Sequence, residues 1–303
     1  MSECRNCGSS NLRELGFCGE VAPFFLKRVL NLELGSSVAH HPLRLFARRV
    51  LALPRLVFDK VYGRAVFAEL QICLHCSFVQ VKHPFSDEAL SRLYFDYRSG
   101  DYNRERIHYE PTYAKLADSV GVSEQEVGVR VRKLTEWLAP ILERRDDFSM
   151  LDFGGSDGRF LPELPGRKFV FEISDSVPKE GVTRIAKEAD LTTYDYVQVA
   201  HVLEHVSFPL ELLKKIAKRV KPSGYLYIEV PQELPESEFA ALKAGKRCNG
   251  LPIHEHINFY SQDSVAALIA SAGLEPTSLE CASLNLGWTV STVIRGLCRQ
   301  VTV

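Results

Sequence analysis

The chain has 303 residues, 46% of them apolar and 25% charged, with a formal net charge of −1, the make-up of an ordinary soluble protein with room for one large and one small domain. Near-neutral charge argues against a nucleic-acid partner, no stretch approaches the roughly 18 apolar residues that cross a bilayer, and Met1-Ser2-Glu3-Cys4 does not read as a secretory signal. A cytoplasmic location is expected, where the eight cysteines are thiols or metal ligands rather than disulfides.

Cys4-Arg5-Asn6-Cys7-Gly8 and Cys73-Leu74-His75-Cys76-Ser77 are two C-x-x-C knuckles. Each offers two soft donors from a tight turn, so Cys4, Cys7, Cys73 and Cys76 together would close a tetrahedral, structural zinc site with no open position. A redox pair and unliganded thiols are the rival readings. Cys18, Cys248, Cys281 and Cys298 lack such spacing and read as simple thiols. Between the knuckles, residues 26–64 carry eight lysines and arginines against Glu33 and Asp59. Interleaved apolar residues predict one or two amphipathic helices broken at Pro42 and Pro54. Such a segment is either a solvated basic face or a contact for a diphosphate-linked substrate or an anionic membrane surface.

Phe78 to Val81 reads as a strand, and Phe85 to Tyr94 as a helix with Ser86 as its cap. A tyrosine-rich linker, Tyr94 to Asn103, follows. Ser123 to Glu126 has the form of a capping box, and Val127, Val131, Leu134, Leu138 and Leu142 recur at helical spacing. The expected division is a small domain over 1–95, with the basic helical insertion, and a large one over 96–303.

The large domain is organised around Leu151-Asp152-Phe153-Gly154-Gly155-Ser156-Asp157-Gly158-Arg159-Phe160. An apolar run ends in a small-residue turn that leads to Arg159-Phe160-Leu161, predicting strand, tight loop and helix. Glycines in such a loop admit positive φ and let a ligand approach the backbone. A dinucleotide fingerprint would need glycine at 153, where Phe153 stands. Asp152-x-Gly154-x-Ser156-x-Gly158 resembles instead motif I of class I S-adenosylmethionine (SAM) dependent methyltransferases, with serine at the middle glycine.

Further features follow in the order that resemblance implies. A second strand, Lys168 to Ile173, carries Glu172, placed to accept hydrogen bonds from ribose hydroxyls. Tyr194 to Val206 looks like the fourth strand and H-V-L-E-H-V segment of that class, Tyr225 to Pro231 is a fifth strand, and Leu274 to Cys281 and Trp288 to Ile294 are its terminal antiparallel strands. The resemblance implies an α/β fold, a Rossmann-like methyltransferase sheet beside the small zinc-binding domain. It also implies a SAM site drawn from Asp152, Gly154, Gly155, Ser156, Gly158, Glu172, His201 and Glu204; Asp157 is either a contact for the cofactor's amino group or a solvated turn residue. His205 is expected at the opening of a helix, in a structural or cofactor-shaping role.

Methyl transfer needs an aligned acceptor, a dry site and, for a carbon or hydroxyl acceptor, a base. The long excursion over 232–260 ends in His254-Glu255-His256-Ile257-Asn258-Phe259-Tyr260-Ser261, which offers one. The knuckles, the tyrosine-rich linker, motif I and this E-H loop, in that order, resemble the zinc-containing C-methyltransferases of deoxysugar biosynthesis and their relatives in surface-polysaccharide clusters. That likeness implies His256 as base with Glu255 as its helper, His254 as a lesser candidate, and Tyr102 or Tyr97 near a sugar or glycan, nucleotide-linked or otherwise diphosphate-linked. The chain departs from those enzymes by its basic insertion and by stopping at 303 without their extra C-terminal domain. O-methylation of a polysaccharide, a lipid-linked acceptor or another hydroxyl is the competing expectation, and a non-catalytic SAM-holding scaffold is the alternative from another class.

Overall fold

The computed structural model describes residues 3–32, 66–142 and 147–301. The amphipathic helices expected between the knuckles fall almost wholly on 33–65, outside these. The described chain opens with β1 (Leu12–Val21) and α1 (Pro23–Leu30). Pro23 is tolerated at the first helical position because its missing N–H would have no intrahelical partner. β2 (Val66–Cys73) returns antiparallel to β1, and the second knuckle turns it into β3 (Val79–Val81).

Ser86 Oγ accepts from Ala89 N and starts α2 (Asp87–Tyr94), as its cap position predicts. The tyrosine-rich stretch is more regular than a linker: Ser99 caps a second helix, α3 (Gly100–Tyr109). The long amphipathic helix is α4 (Glu124–Leu138), with Val131, Leu134 and Leu138 buried. Only half of its capping box forms. Ser123 Oγ accepts from Glu126 N, but the Glu126 carboxylate accepts from Gly121 N instead of reaching back to Ser123.

The strands β4 (Ser149–Phe153), β5 (Arg167–Phe171), β6 (Val182–Ile185) and β7 (Tyr194–Ala200) follow, then α5 (Pro209–Ala217), β8 (Val220–Pro231), α6 (Glu236–Lys243), β9 (Leu251–Ile253) and β10 (Asn258–Phe259). The chain closes with α7 (Gln262–Ser271), β11 (Leu274–Asn285) and β12 (Val290–Gln300). Seven of these strands make one sheet in the order β11-β12-β8-β7-β4-β5-β6. β4 to β8 run parallel, and β12 inserts antiparallel between β8 and β11. This is the Rossmann-like sheet the motifs predict. The connections reverse direction at β4, whose neighbours are β5 and β7, so a crevice opens beyond its carboxyl end.

The helix expected after motif I does not form; residues 154–166 are turns and bends. The local sequence explains this. Asp157 accepts from Arg159 N and its side chain, an alternative to helical bonding, and Pro162 and Pro165 withhold two helix donors. Likewise, Leu203–His205 is a single 3-10 turn rather than the opening of a helix.

A smaller sheet has the order β10-β3-β2-β1-β9. Its two edge strands come from the excursion after β8: β9 pairs parallel with β1, and β10 antiparallel with β3. Because β9 and β10 lie on opposite edges, residues 254–257 must cross the end of this sheet. No described helix is long and apolar enough to cross a membrane.

Candidate active site

At the tip of β4 the backbone turns through two left-handed residues, Gly154 (φ 73°) and Ser156 (φ 55°). A side chain on Gly154 would strike Val202, and one on Gly155 would strike the Asp152 carboxylate, so the small residues there are required by space. Ser156 stays in place because Glu172, just past β5, accepts from its backbone N–H at 2.9 Å and from Ser174 N at 2.9 Å. Each carboxylate oxygen keeps a lone pair for further donors such as ribose hydroxyls. Burial lifts the Asp152 carboxyl to about 7, and one of its oxygens has no partner. Glycine backbone, Glu172 and Asp152 fit a SAM nucleoside. Asp157 is engaged by Arg159, and Gly158 lies beneath the loop against Val182.

The end of β7 is strongly polar. His201, another left-handed residue (φ 55°), bridges Glu204 and Glu229, with Nδ1 and Nε2 each 3.1 Å from a carboxylate oxygen. Burial opposes its charge, yet the two carboxylates raise its pKa above the ordinary value. Glu204 is itself fully buried; burial works against ionisation, but His201 and His205 hold its pKa at about 2. Arg130 from α4 completes the group, donating to Glu229 at 2.6 Å and lying over the Phe160 ring.

Across the crevice, the segment strung over the small sheet is tied to the 203–205 turn. Asn258 Nδ2 donates to the carbonyls of Leu203 (2.9 Å) and Val206 (2.7 Å), Tyr260 Oη donates to Leu203, and Ile257 N donates to Glu204 O. This lacing sets the His205 and His256 rings edge to face, 4.7 Å apart. His205 Nδ1 lies 3.2 Å from the Glu255 carbonyl, which can only accept, and 2.7 Å from the Tyr94 hydroxyl. The proton therefore sits on Nδ1. Burial depresses the His205 pKa. His256 Nδ1 meets Glu233 at 2.9 Å; burial again opposes its charge, but Glu233 lifts its pKa to about 9.

Glu255 does not touch the His256 ring. Its carboxylate accepts from Tyr97 (3.3 Å), Tyr102 (3.1 Å) and Arg106; burial opposes its ionisation, but Arg106 brings its pKa down to about 2. The carboxylate at His256 is Glu233, from beyond β8. Tyr102 is fully buried under Glu255, whereas Tyr97 lines the crevice. His254 turns towards Glu110, at 3.7 Å, away from the crevice. One cavity of about 790 Å³ joins both halves, lined by Gly154, Ser156 and Glu172 at one end and by His205, Glu233 and His256 at the other. Sequence reasoning passed over Glu233, Tyr94, Arg130 and Glu229. Only Glu229 left a trace, as a carboxylate inside an apolar strand.

The four knuckle cysteines converge. Cys4 and Cys76 sulfurs are 3.7 Å apart, Cys7 and Cys73 are 3.8 Å apart, and all four lie within 4.8 Å of one another. A tetrahedron of metal–sulfur bonds near 2.3 Å has edges of about 3.8 Å, so donor type and spacing fit zinc. Asn6 braces the group, donating to Cys76 Sγ and to Ser264 O at the start of α7. A second group, Glu204, His205 and His256, also offers atoms within 4.8 Å of one another, and both of its imidazoles line the cavity.

Comparison with known proteins agrees with this geometry. A family described as "Methyltransferase domain" matches residues 125–279, just over half of the chain. The ubiquinone biosynthesis O-methyltransferase of Bordetella bronchiseptica is 32% identical over 95 residues, which are 30% of this chain and 39% of that protein. Its counterpart in Vibrio cholerae is 31% identical over 91 residues, 29% and 37% of the two chains. The chain thus matches well under half the length of these relatives. Among solved structures, a SAM-dependent methyltransferase from Aquifex aeolicus is 16% identical, with a TM-score of 0.41, over 62% of this chain and 97% of that one. A SAM-dependent methyltransferase from Methanosarcina mazei is 11% identical, with a TM-score of 0.41, over 55% and 98%.

Proposed function

Since the chain belongs to the methyltransferase-domain family, we propose that it transfers the methyl group of SAM to a sugar, nucleotide-linked or part of a surface glycan. One observation carries this reading: a single cavity holds the glycine turn with Glu172 at one end and the His205–His256 pair at the other, so donor and acceptor can meet inside it. SAM supplies a sulfonium-activated methyl group. The protein's part is to align the acceptor, which contributes up to about 7–11 kcal/mol in favourable cases, and to take a proton from it. Gly154, Gly155 and Ser156 present backbone to the cofactor and Glu172 receives its ribose, while Asp152, His201 and Glu204 fix the walls. Glu233 keeps the His256 proton on Nδ1, leaving Nε2 of the neutral ring as the base. Glu255 acts one step back, orienting His205 through its carbonyl and Tyr97 through its carboxylate.

The cysteine cluster holds a structural zinc in this reading; four thiolates leave no open position for chemistry. Its place is to pin the first residues to α7 and so to brace the strand that carries Asn258. The sugar acceptor draws support from the succession of knuckles, tyrosines and E-H loop. O-methylation of another hydroxyl is the second reading, favoured by the matched relatives' names; the same base serves both. The test is calorimetric titration with SAM, followed by a screen of nucleotide sugars and of hydroxyl-bearing ubiquinone precursors for release of S-adenosylhomocysteine. Tight SAM binding with turnover of a sugar supports the first reading, turnover of the hydroxyl-bearing precursors alone supports the second, and absence of SAM binding ends both.

A further inference from the structure

Two arginines line the cavity, and they differ in their partners. Arg130 is paired with Glu126 and Glu229. Arg98 forms no ion pair with any described residue; its guanidinium lies 5.0 Å over the Tyr97 ring. It also packs against Gly121, where any side chain would collide with it. Arg98 also hydrogen-bonds the Tyr97 side chain and feels the Glu255 carboxylate, but Glu255 is already taken by Arg106, and Arg106 also meets Glu110.

The backbone is bent to deliver this side chain. Asp96 (φ 53°) and Arg98 (φ 62°) are both left-handed without being glycine, at a cost of roughly 1–2 kcal/mol each. The turn is held by Asp96, which accepts from Arg28 at 3.1 Å and from the Ser99 hydroxyl at 3.3 Å. Strain of this kind persists where surrounding contacts over-determine it, and it clusters at ligand clamps. A half-buried guanidinium without a carboxylate is a planar fork of donors suited to two oxygens of one anion.

The geometry points to Arg98 as the anion-recognising residue of the acceptor site: it forks onto a phosphate or carboxylate of the acceptor, whose reacting atom lies towards His205 and His256. This rests on the methyltransferase reading and deepens it, by giving the acceptor a negative charge. The same chemistry could come from the cofactor's own carboxylate, and the experiment separates the two sources.

Full-length protein is titrated with inorganic pyrophosphate, with and without saturating S-adenosylhomocysteine, and separately with S-adenosylhomocysteine alone. Arg98→Gln should weaken pyrophosphate binding about tenfold or more, and Arg98→Lys less, because the lysine keeps the charge but loses the fork. Affinity for S-adenosylhomocysteine should change less than about twofold, since charge-assisted bonds to it are untouched. Pyrophosphate that binds Arg98→Gln as well as wild type, or binds neither, overturns the assignment. So does a tenfold loss of S-adenosylhomocysteine affinity in Arg98→Gln, which would give Arg98 to the cofactor. Wild type that binds pyrophosphate through Arg98 but no S-adenosylhomocysteine would instead sink the methyltransferase reading. Thermal melts of both variants check that they fold.

Discussion

His256 Nδ1 and Glu233 Oε1 stand 2.9 Å apart at the end of the cavity away from the glycine turn, and in the proposed mechanism this pair sets the pH at which His256 works as a base. Burial lowers the imidazole pKa, but Glu233 raises it further, to about 9, against an ordinary value near 6.5. With the neutral ring as proton acceptor, kcat/KM should climb with pH and level off above about 9. Glu233→Gln should move that limb towards the ordinary imidazole range, and a limb that stays put would exclude His256 as the titrating group. Stability follows the same shift. A folded-state pKa above the unfolded one stabilises fully below about pH 6.5, and this gain is lost as pH rises through about 9. Thermal melts at about pH 6 and about pH 9.5 should therefore differ more in wild type than in Glu233→Gln.

His256→Asn keeps a polar amide near the position of Nδ1 but has no base. Turnover should fall by roughly 10²–10⁴, while SAM affinity measured by calorimetry stays within about twofold, because Glu172 and the glycine turn lie at the other end of the cavity. Equal losses in both would make His256 a structural residue.

At the cofactor end, Glu172 holds Ser156 N and Ser174 N. Glu172→Gln removes the charge from those bonds and from any to ribose, and charge-assisted bonds are worth about 1.5–3 kcal/mol. SAM affinity should drop at least about tenfold. Ser156→Gly should bind SAM as well as wild type, since glycine adopts φ 55° freely, whereas Ser156→Val should cost about 1–2 kcal/mol of stability, read from denaturant melts.

The cysteine cluster predicts one tightly held zinc per chain by elemental analysis. Its removal by a chelator should lower the melting temperature, because the cluster ties the first residues to β2 and, through Asn6, to α7. Cys76→Ser should reproduce the effect and lose the metal. A wild-type protein that purifies without zinc and melts unchanged in chelator would leave the four thiols without a metal.

Much of this protein could be read from its residues in order. Small residues at 154–158, Glu172 at a strand end and the apolar runs at 194–200 and 225–231 are local signals, because strand and turn chemistry depends on near neighbours. They place the crevice and the glycine turn that lines one end of it. The same local logic failed after Arg159, where Asp157 and two prolines diverted the chain from a helix. What stayed hidden was pairing across sequence distance. The knuckles are 66 residues apart from Cys7 to Cys73, and only the fold brings their four sulfurs together. Glu255 stands beside His256 in sequence, yet at the bend over 254–255 Glu255 turns to Tyr97, Tyr102 and Arg106 while Glu233 reaches the ring. The left-handed turn at Asp96 and Arg98, which brings Arg98 to the cavity, is likewise a product of packing. Sequence determined the sheet and the glycine turn at its crevice; only the tertiary structure decided which charges line the other end of the cavity, because that depends on how the small sheet strings residues 254–257 across its end.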